Sequence, residues 1–283
     1  IQTYGIEVMA GFIIGFDSDT EDIADRLIDF IQRAGIPQAM VGLLTALPGT
    51  KLYRRLQWEG RLLTVPEGNN THCLTTNFKT RMHPNTLKAS YQRILATLYD
   101  ANLKNYFRRC SRLLDSMEKD VYSAREVHRD ELRMLLKSLL RQPFTRYGFQ
   151  YLKFLLRSLL KRASYFPEAV KFSIVGHHYH TMTHALLKRE RISTLMDTRF
   201  NDFQLELQAY NVVAQNNYQE GVKRVIALWH QMENVLTVIQ KKIDRVHVDF
   251  RSDIQAKYAE LTKRMERLFE GFEEELHQGG IQL

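Results

Sequence analysis

The sequence predicts an α/β fragment followed by a mostly α-helical C-terminal region that ends in long, coiled-coil-like helices. Three observations predict it. Between Glu7 and Leu47 two apolar runs flank an amphipathic stretch, no convincing strand follows Asn85, and from Val222 to Phe272 apolar residues recur at a mean spacing near 3.6. The expected divisions are residues 1–83, 84–192 and 193–283.

Val8, Met9, Phe12, Ile13 and Ile14, closed by Gly15, suit a strand buried on both faces of a parallel sheet. Asp19 or Thr20 can cap the next helix. Ile23, Leu27, Phe30 and Ile31 recur along it at helical spacing, and Gly35 with Pro37 ends it. Ala39–Leu47 is the second strand, and Pro48-Gly49-Thr50 turns into another helix. Parallel strands need neighbours and covering helices, and the chain begins at Ile1 without methionine. The expectation is a C-terminal piece whose partner is a missing N-terminal half.

Residues 64–83 read as an irregular loop with a strand-like Thr75-Thr76-Asn77-Phe78. Helix resumes at Asn85 or Thr86, with Leu87, Tyr91, Ile94, Leu95 and Leu98 on one side. Arg125–Leu140, Arg146–Leu160 and Glu168–Leu187 follow as basic amphipathic helices, separated at Gln142-Pro143 and Phe166-Pro167. The final stripe runs through Val222, Ile226, Trp229, Met232, Leu236, Ile239 and Ile243 and on to Met265 and Phe272. It is one long helix or a hairpin, packing on the middle helices or on a second copy as a homodimer.

With 283 residues, 44% of them hydrophobic, the chain can bury a core and build about two domains. Its net charge of +8 is uneven: residues 101–192 carry 19 basic and 8 acidic side chains, a net of +11, while the flanks are 0 and −3. Cys73 and Cys110 form neither a disulfide framework nor a C-x-x-C pair, so a reducing cytoplasm is the natural setting. There is no signal peptide and no apolar run long enough to cross a bilayer. The chain is expected to be cytoplasmic or peripheral at a membrane.

The segments GFIIGFDSDTEDI (Gly11–Ile23) and LLTALPGTKLYRRL (Leu43–Leu56) resemble the fifth and sixth βα units of radical S-adenosylmethionine enzymes. The subgroup is the one with an N-terminal cobalamin-binding domain and a helical C-terminal extension, similar to hopanoid C-3 methylases. The resemblance is closest over Tyr4–Leu63, weakens to about Arg191 and stops before the terminal stripe. It implies the last staves of a partial TIM barrel, with S-adenosylmethionine bound to a [4Fe-4S] cluster and cleaved to a 5′-deoxyadenosyl radical. Methylcobalamin would deliver a methyl group to an unactivated carbon.

The family signature, glycine-x-isoleucine-x-glycine, falls on Gly11, Ile13 and Gly15 and implies that Ile13 packs near adenine. Ser18 stands where an acidic residue is usual, with Asp17 and Asp19 on either side, each of which could meet the ribose or only cap the helix. Thr45, Ala46 and Leu47 would lie beside adenine and Pro48 would open the turn, all at strand C-terminal ends. The cluster needs thiolates that Cys73 and Cys110 are not spaced to supply. Cluster and cobalamin ligands are therefore expected outside this chain, which carries no catalytic residue and is inactive by itself. The competing reading is a helical scaffold or membrane-surface adaptor with a non-catalytic βα remnant.

Two further patterns stand apart from the signature. His177, His180 and His184, with His178 beside them, fall on one helical stripe where three imidazoles could bind zinc or iron; ordinary histidines beside Tyr165, Phe166, Phe172 and Tyr179 are the simpler reading. Arg108, Arg109, Arg112, Arg141, Arg146, Arg157, Lys161 and Arg162 interleave with Tyr147, Phe149, Tyr151 and Phe154. They could face anionic lipid, a lipid-like substrate, an acidic protein surface or, ranked last for want of a motif, nucleic acid. Snorkelling arginines around a helical core are the default.

Overall fold

The structure, a computed structural model, describes residues 1–65, 75–117, 129–161, 163–216 and 218–278. It divides into two compact units, Ile1–His184 and Ala185–Leu283. The expected boundary at 83/84 falls inside the first unit, because the βα segment and the helices after it share side-chain anchors.

The first unit opens with a parallel pair, β1 (Met9–Ile14) and β2 (Gln38–Leu43), with Gly11 opposite Met40 and Ile13 opposite Gly42. Helix α1 (Ile23–Ala34) connects them and closes at Gly35, whose φ of +63° is a left-handed cap that favours glycine. Its N-cap is Asp22, not Asp19 or Thr20. Thr20 donates its hydroxyl to the Asp22 carboxylate, and Asp19 turns back to the end of β1.

The sheet is two-faced. Ala10, Phe12 and Ile14 share one side with Ala39 and Val41, where Phe30 of α1 meets Phe12 edge-on at 6.0 Å and Ile14, Ala39 and Val41 are buried. Met9, Gly11 and Ile13 lie on the other side, and Met9 and Ile13 are 59% and 54% exposed. The expected burial on both faces therefore holds for one face in this chain.

β2 ends at Leu43, short of the expected Leu47. Leu44 and Ala46 still point inward, into a small core with Leu56 and Phe78. Among the described residues no strand pairs with Ala46. The Asn77 side-chain amide does so, accepting from the Ala46 N–H and donating to its carbonyl, both at 2.9 Å. The strand-like segment around Asn77 is reduced to one antiparallel bridge, Leu62 with Phe78. Between these pieces runs α2 (Lys51–Trp58), capped by the Thr50 hydroxyl, which accepts from the Tyr53 N–H at 3.1 Å.

Helix α3 (Pro84–Leu98) buries Leu87, Tyr91, Ile94, Leu95 and Leu98, the side expected from their spacing. Tyr99, just past its end, accepts from the Ala39 N–H at 3.2 Å and donates to its carbonyl at 2.8 Å. One phenol thus occupies both hydrogen-bonding positions that a further strand would take there. Helix α4 (Lys104–Ser116) has no counterpart in the sequence reading, although Tyr106, Phe107, Cys110, Leu113 and Leu114 are helically spaced and buried. Arg109 is also buried, a correction to its placement among surface cations. Its Nε donates to the Ile36 carbonyl at 2.8 Å, and its guanidinium lies over Tyr99 and Tyr106 at 5.4 and 5.6 Å.

Helices α5 (Arg129–Arg141) and α6 (Gly148–Lys161) flank a turn at Gln142–Phe144, and α7 (Phe166–Asn216) begins within this unit. The expected start of α5 at Arg125 lies outside the described residues, as do Cys73 and Arg162. Two glycines permit close passage: a Cβ on Gly148 would collide with the Pro143 carbonyl, and one on Gly176 with the buried Tyr106 ring.

The second unit is a three-helix arrangement of the rest of α7, α8 (Tyr218–Ile243) and α9 (Val248–Gln278). α8 and α9 fold back as a hairpin: Trp229 packs on Phe269 at 4.4 Å, and the Tyr258 hydroxyl donates to the Leu236 carbonyl at 3.3 Å. α9 runs alongside α7 in the same direction, with Lys257 bonded to Ser193 and Asp197 at 2.7 Å and Arg264 over Phe200 at 4.5 Å. Within the chain, residues of the terminal stripe pack between α8, α9 and α7. The stripe's phase differs at the start, where Val225 and Leu228 are buried and Ile226 is turned outward.

Candidate cofactor-binding site

Some of the residues expected at the site lie on the open face of the sheet. Gly11 and Ile13 lie on it with Met40 and Gly42, their partners in register. A Cβ added to Gly11 or to Gly42 would meet nothing within 4 Å. The result is an apolar shelf floored by backbone, with Ile13 and Met40 standing beside two bare glycines. A planar heterocycle fits such a surface, because flat contact needs a backbone approach that side chains would block. Gly15 ends β1 at a φ of +106°, the left-handed region, and turns the chain away at the rim.

The polar residues expected beside that shelf have other partners. Asp19 accepts from the N–H groups of Gly15 and Phe16 at 2.7 and 3.0 Å, fixing the turn after β1. Asp17 accepts from Arg61 at 2.6 and 3.0 Å and from Arg55 at 2.9 Å, with Arg81 at 3.9 Å. The hydrogen bond from Arg61, with the charges of Arg61, Arg55 and Arg81, holds the Asp17 carboxyl below the usual carboxylate range against the opposing effect of its burial. Neither aspartate offers a free oxygen pair to a ribose in this arrangement.

The second strand end behaves similarly. Ala46 has both backbone groups on Asn77. The Leu47 carbonyl accepts from the Thr50 N–H and hydroxyl at 3.2 and 2.7 Å. Thr45 is half-buried, while Leu47 and Pro48 are exposed on the turn. The exposed apolar residues are chemically suited to a flat, apolar ring, while the Asp17 carboxylate is engaged by arginines and Asp19 Oδ2 by backbone N–H groups.

Sequence reasoning missed Asn77, Arg61, Met40 and Gly42. Met40 and Gly42 were accessible from strand alternation, since they share the phase of Gly11 and Ile13 across the pair. Nothing local marked Asn77, whose partner is 31 residues away.

Among the described residues, the one cysteine, Cys110, does not suit a cluster. Cys110 is fully buried, and that burial pushes its thiol up to about 12, so it is a core residue rather than a thiolate ligand. Two of the histidines have hydrogen-bond partners. His177 Nδ1 pairs with the Tyr147 hydroxyl at 2.5 Å and His180 Nε2 with the Ala101 carbonyl at 3.2 Å, while the His180 and His184 rings lie 4.2 Å apart. Burial, then the adjacent His184, lowers His180 to about 4. Among the described residues no three His, Cys, Asp or Glu side chains are grouped to hold a metal ion.

Residues 50–191, half of the chain, match the sequence family described as a domain of unknown function, DUF4070. The chain belongs to the DUF4070 family. This DUF4070 chain is also similar to the hopanoid C-2 methylase of Rhodopseudomonas palustris (strain TIE-1), at 49% identity over 63 residues, 22% of this chain and 12% of that protein. It is similar to an uncharacterized methyltransferase of Synechocystis sp., at 36% identity over 96 residues, 34% of this chain and 18% of that one. The chain thus matches less than a fifth of the length of these curated relatives. Both are described as methyl-transferring enzymes, the hopanoid enzyme at C-2 rather than the C-3 of the expected subgroup. No solved structure matches the DUF4070 chain. No described helix is long and apolar enough to cross a membrane.

Proposed function

We propose that this chain is the C-terminal part of a cobalamin-dependent radical S-adenosylmethionine methylase, and that the open face of β1 and β2 receives the adenine of that cofactor. The observation that carries the reading is the pairing of two bare glycines with Ile13 and Met40 on one uncovered face, while α1 and the residues after it cover the other. Methyl-transferring relatives support it. Bound S-adenosylmethionine supplies the chemistry that activates an otherwise inert carbon.

This chain's own residues do something more limited. Ile13 and Met40 offer dispersion contact to a flat ring, Gly11 and Gly42 admit it to the backbone, and Asp19 holds the turn that ends the shelf. The Asp17–Arg61–Arg55 cluster ties that turn to α2 and to the strand end beyond it. Cluster and cobalamin ligands would come from a preceding segment.

The test is to obtain the upstream coding sequence and purify the full-length protein without oxygen. A C-x3-C-x2-C loop is expected about 120 to 150 residues before Gly11, the usual length of four βα units. The reduced full-length protein should release 5′-deoxyadenosine from S-adenosylmethionine, and the present chain alone should release none. A full-length protein without that loop, or one that binds no S-adenosylmethionine, would refute the assignment and favour a helical adaptor.

A further inference from the structure

From Arg133 to Lys161 the chain carries seven cations, Arg133, Lys137, Arg141, Arg146, Lys153, Arg157 and Lys161, and no carboxylate. Core formation does not require that bias. A solvated helix face ordinarily mixes signs, since Glu and Lys three or four residues apart support the helix.

α6 divides into three arcs. Gly148, Tyr151, Phe154, Leu155 and Ser158 are buried. Lys153, Arg157 and Lys161 form a row beside them. The remaining arc, which a soluble helix would make polar, carries Phe149, Leu152, Leu156 and Leu160, with Phe149 74% and Leu160 78% exposed. Leu140 and Phe144, at the turn before α6, continue the uncovered apolar surface. An apolar arc bordered by cations is how a helix lies in a membrane interface.

The cation row also faces a groove of about 380 Å3 between α4 and α6. Lys104, Arg108 and Arg112 line it from α4, and Lys153 and Arg157 from α6, over a floor of Phe107 stacked on Phe154 at 4.9 Å. Arg112 is partly spent on the Gln32 and Arg33 carbonyls that end α1. Asp115, the one carboxylate on the groove among the described residues, binds Arg157 at 2.7 Å and Lys161 at 3.2 Å. Lys104, Arg108 and Lys153 line the groove, none of them paired with a carboxylate among the described residues.

We propose that the α5–α6 turn and the outer face of α6 form a docking surface for an anionic phospholipid bilayer. Phe144, Phe149, Leu156 and Leu160 enter the acyl boundary, and the α4–α6 groove takes phosphate headgroups. Charge complementarity selects the occupant: cations without carboxylates need an anionic surface, and leucines on the outer arc need one with hydrocarbon beneath it. Nucleic acid supplies the first and not the second. The proposal does not depend on the assignment of the sheet face.

The test uses the whole chain with vesicles of phosphatidylcholine alone or mixed with phosphatidylglycerol. Cosedimentation should favour the mixed vesicles by about tenfold or more and fall with added salt, as expected when each cation near an anionic surface contributes comparably. Lys153→Glu with Arg157→Glu should weaken binding at least about tenfold. Phe149→Ser with Leu156→Ser should weaken it comparably, and Phe149→Trp should shift its emission to the blue on binding. These positions are exposed, so circular dichroism and melting should stay at wild-type values. Equal binding to neutral vesicles, undiminished binding by folded variants, or no binding to either vesicle would overturn the proposal. So would loss of self-association in the Phe149→Ser variant without any vesicle effect, which would assign the face to a second copy.

Discussion

The two units are held together in different ways. In the first, single side chains complete backbone hydrogen bonding that no neighbouring strand completes: Asn77 at Ala46, Tyr99 at Ala39 and Arg109 at Ile36. In the second, a repeating seam of Met196, Phe200, Val225, Leu228, Met232, Leu236, Ile254, Leu261 and Met265 carries the packing, and many apolar side chains of similar volume would serve. A βα layer with few strands has polar backbone to satisfy at each edge, whereas helices satisfy theirs internally. Position-specific residues therefore concentrate in the first unit.

That contrast predicts unequal sensitivity to small changes. Gly148→Ala should have the largest effect, destabilising the first unit by about 3 kcal/mol or more, because the added methyl meets the Pro143 carbonyl and backbone cannot step aside. Gly271→Ala in α9, where a Cβ meets nothing, should instead raise stability by up to about 1 kcal/mol. Chemical denaturation monitored by circular dichroism compares them. Comparable losses at both glycines would erase the distinction.

Next in size is Asn77→Ala, which leaves the buried N–H and carbonyl of Ala46 without their partner. A loss of about 2 to 4 kcal/mol is expected from two buried groups. Met232→Leu in the seam should cost under about 1.5 kcal/mol, since volume is nearly conserved. Trp229, made the sole tryptophan by Trp58→Phe, reports the second unit directly. A large shift at Met232→Leu with none at Asn77→Ala would reverse the comparison.

The last effect is a pH dependence that arises in the first unit. His180 is lowered from 6.5 to about 4 by burial, so between those values the unfolded chain holds a proton that the folded chain does not. Stability therefore falls as pH drops from about 6.5 toward 4, and His180→Gln should flatten that slope when urea midpoints are followed across the range. An unchanged slope would show that His180 stays solvated.

The same contrast decides what could be read from the sequence. Periodicity located α1, α3 and the α8–α9 seam, because burial of an apolar stripe is a local, repeating signal. It left the Ile226 phase wrong by one position, where Val225 and Leu228 compete for the same seam. The glycine signature located Gly11, Ile13 and Gly15, and alternation could have added Met40 and Gly42. What it could not provide was the fate of Asp17, Asp19 and Ala46. Each is decided by a residue distant in sequence, such as Arg61 or Asn77, whose own surroundings carry no pattern. Arg109 shows the reverse error: a cation in a basic region looks like surface until Tyr99 and Tyr106 close over it.

The most direct test of the sheet-face assignment is the affinity of the full-length, cluster-loaded protein for S-adenosylmethionine with Ile13→Glu, measured by equilibrium dialysis. Ile13 is exposed in this chain, so the variant should fold and keep its cluster absorbance while its affinity drops by about a hundredfold or more, the scale of placing an unpaired carboxylate against an apolar ring. An unchanged dissociation constant in a folded, cluster-bearing variant would show that the cofactor lies elsewhere and that the open face serves another purpose.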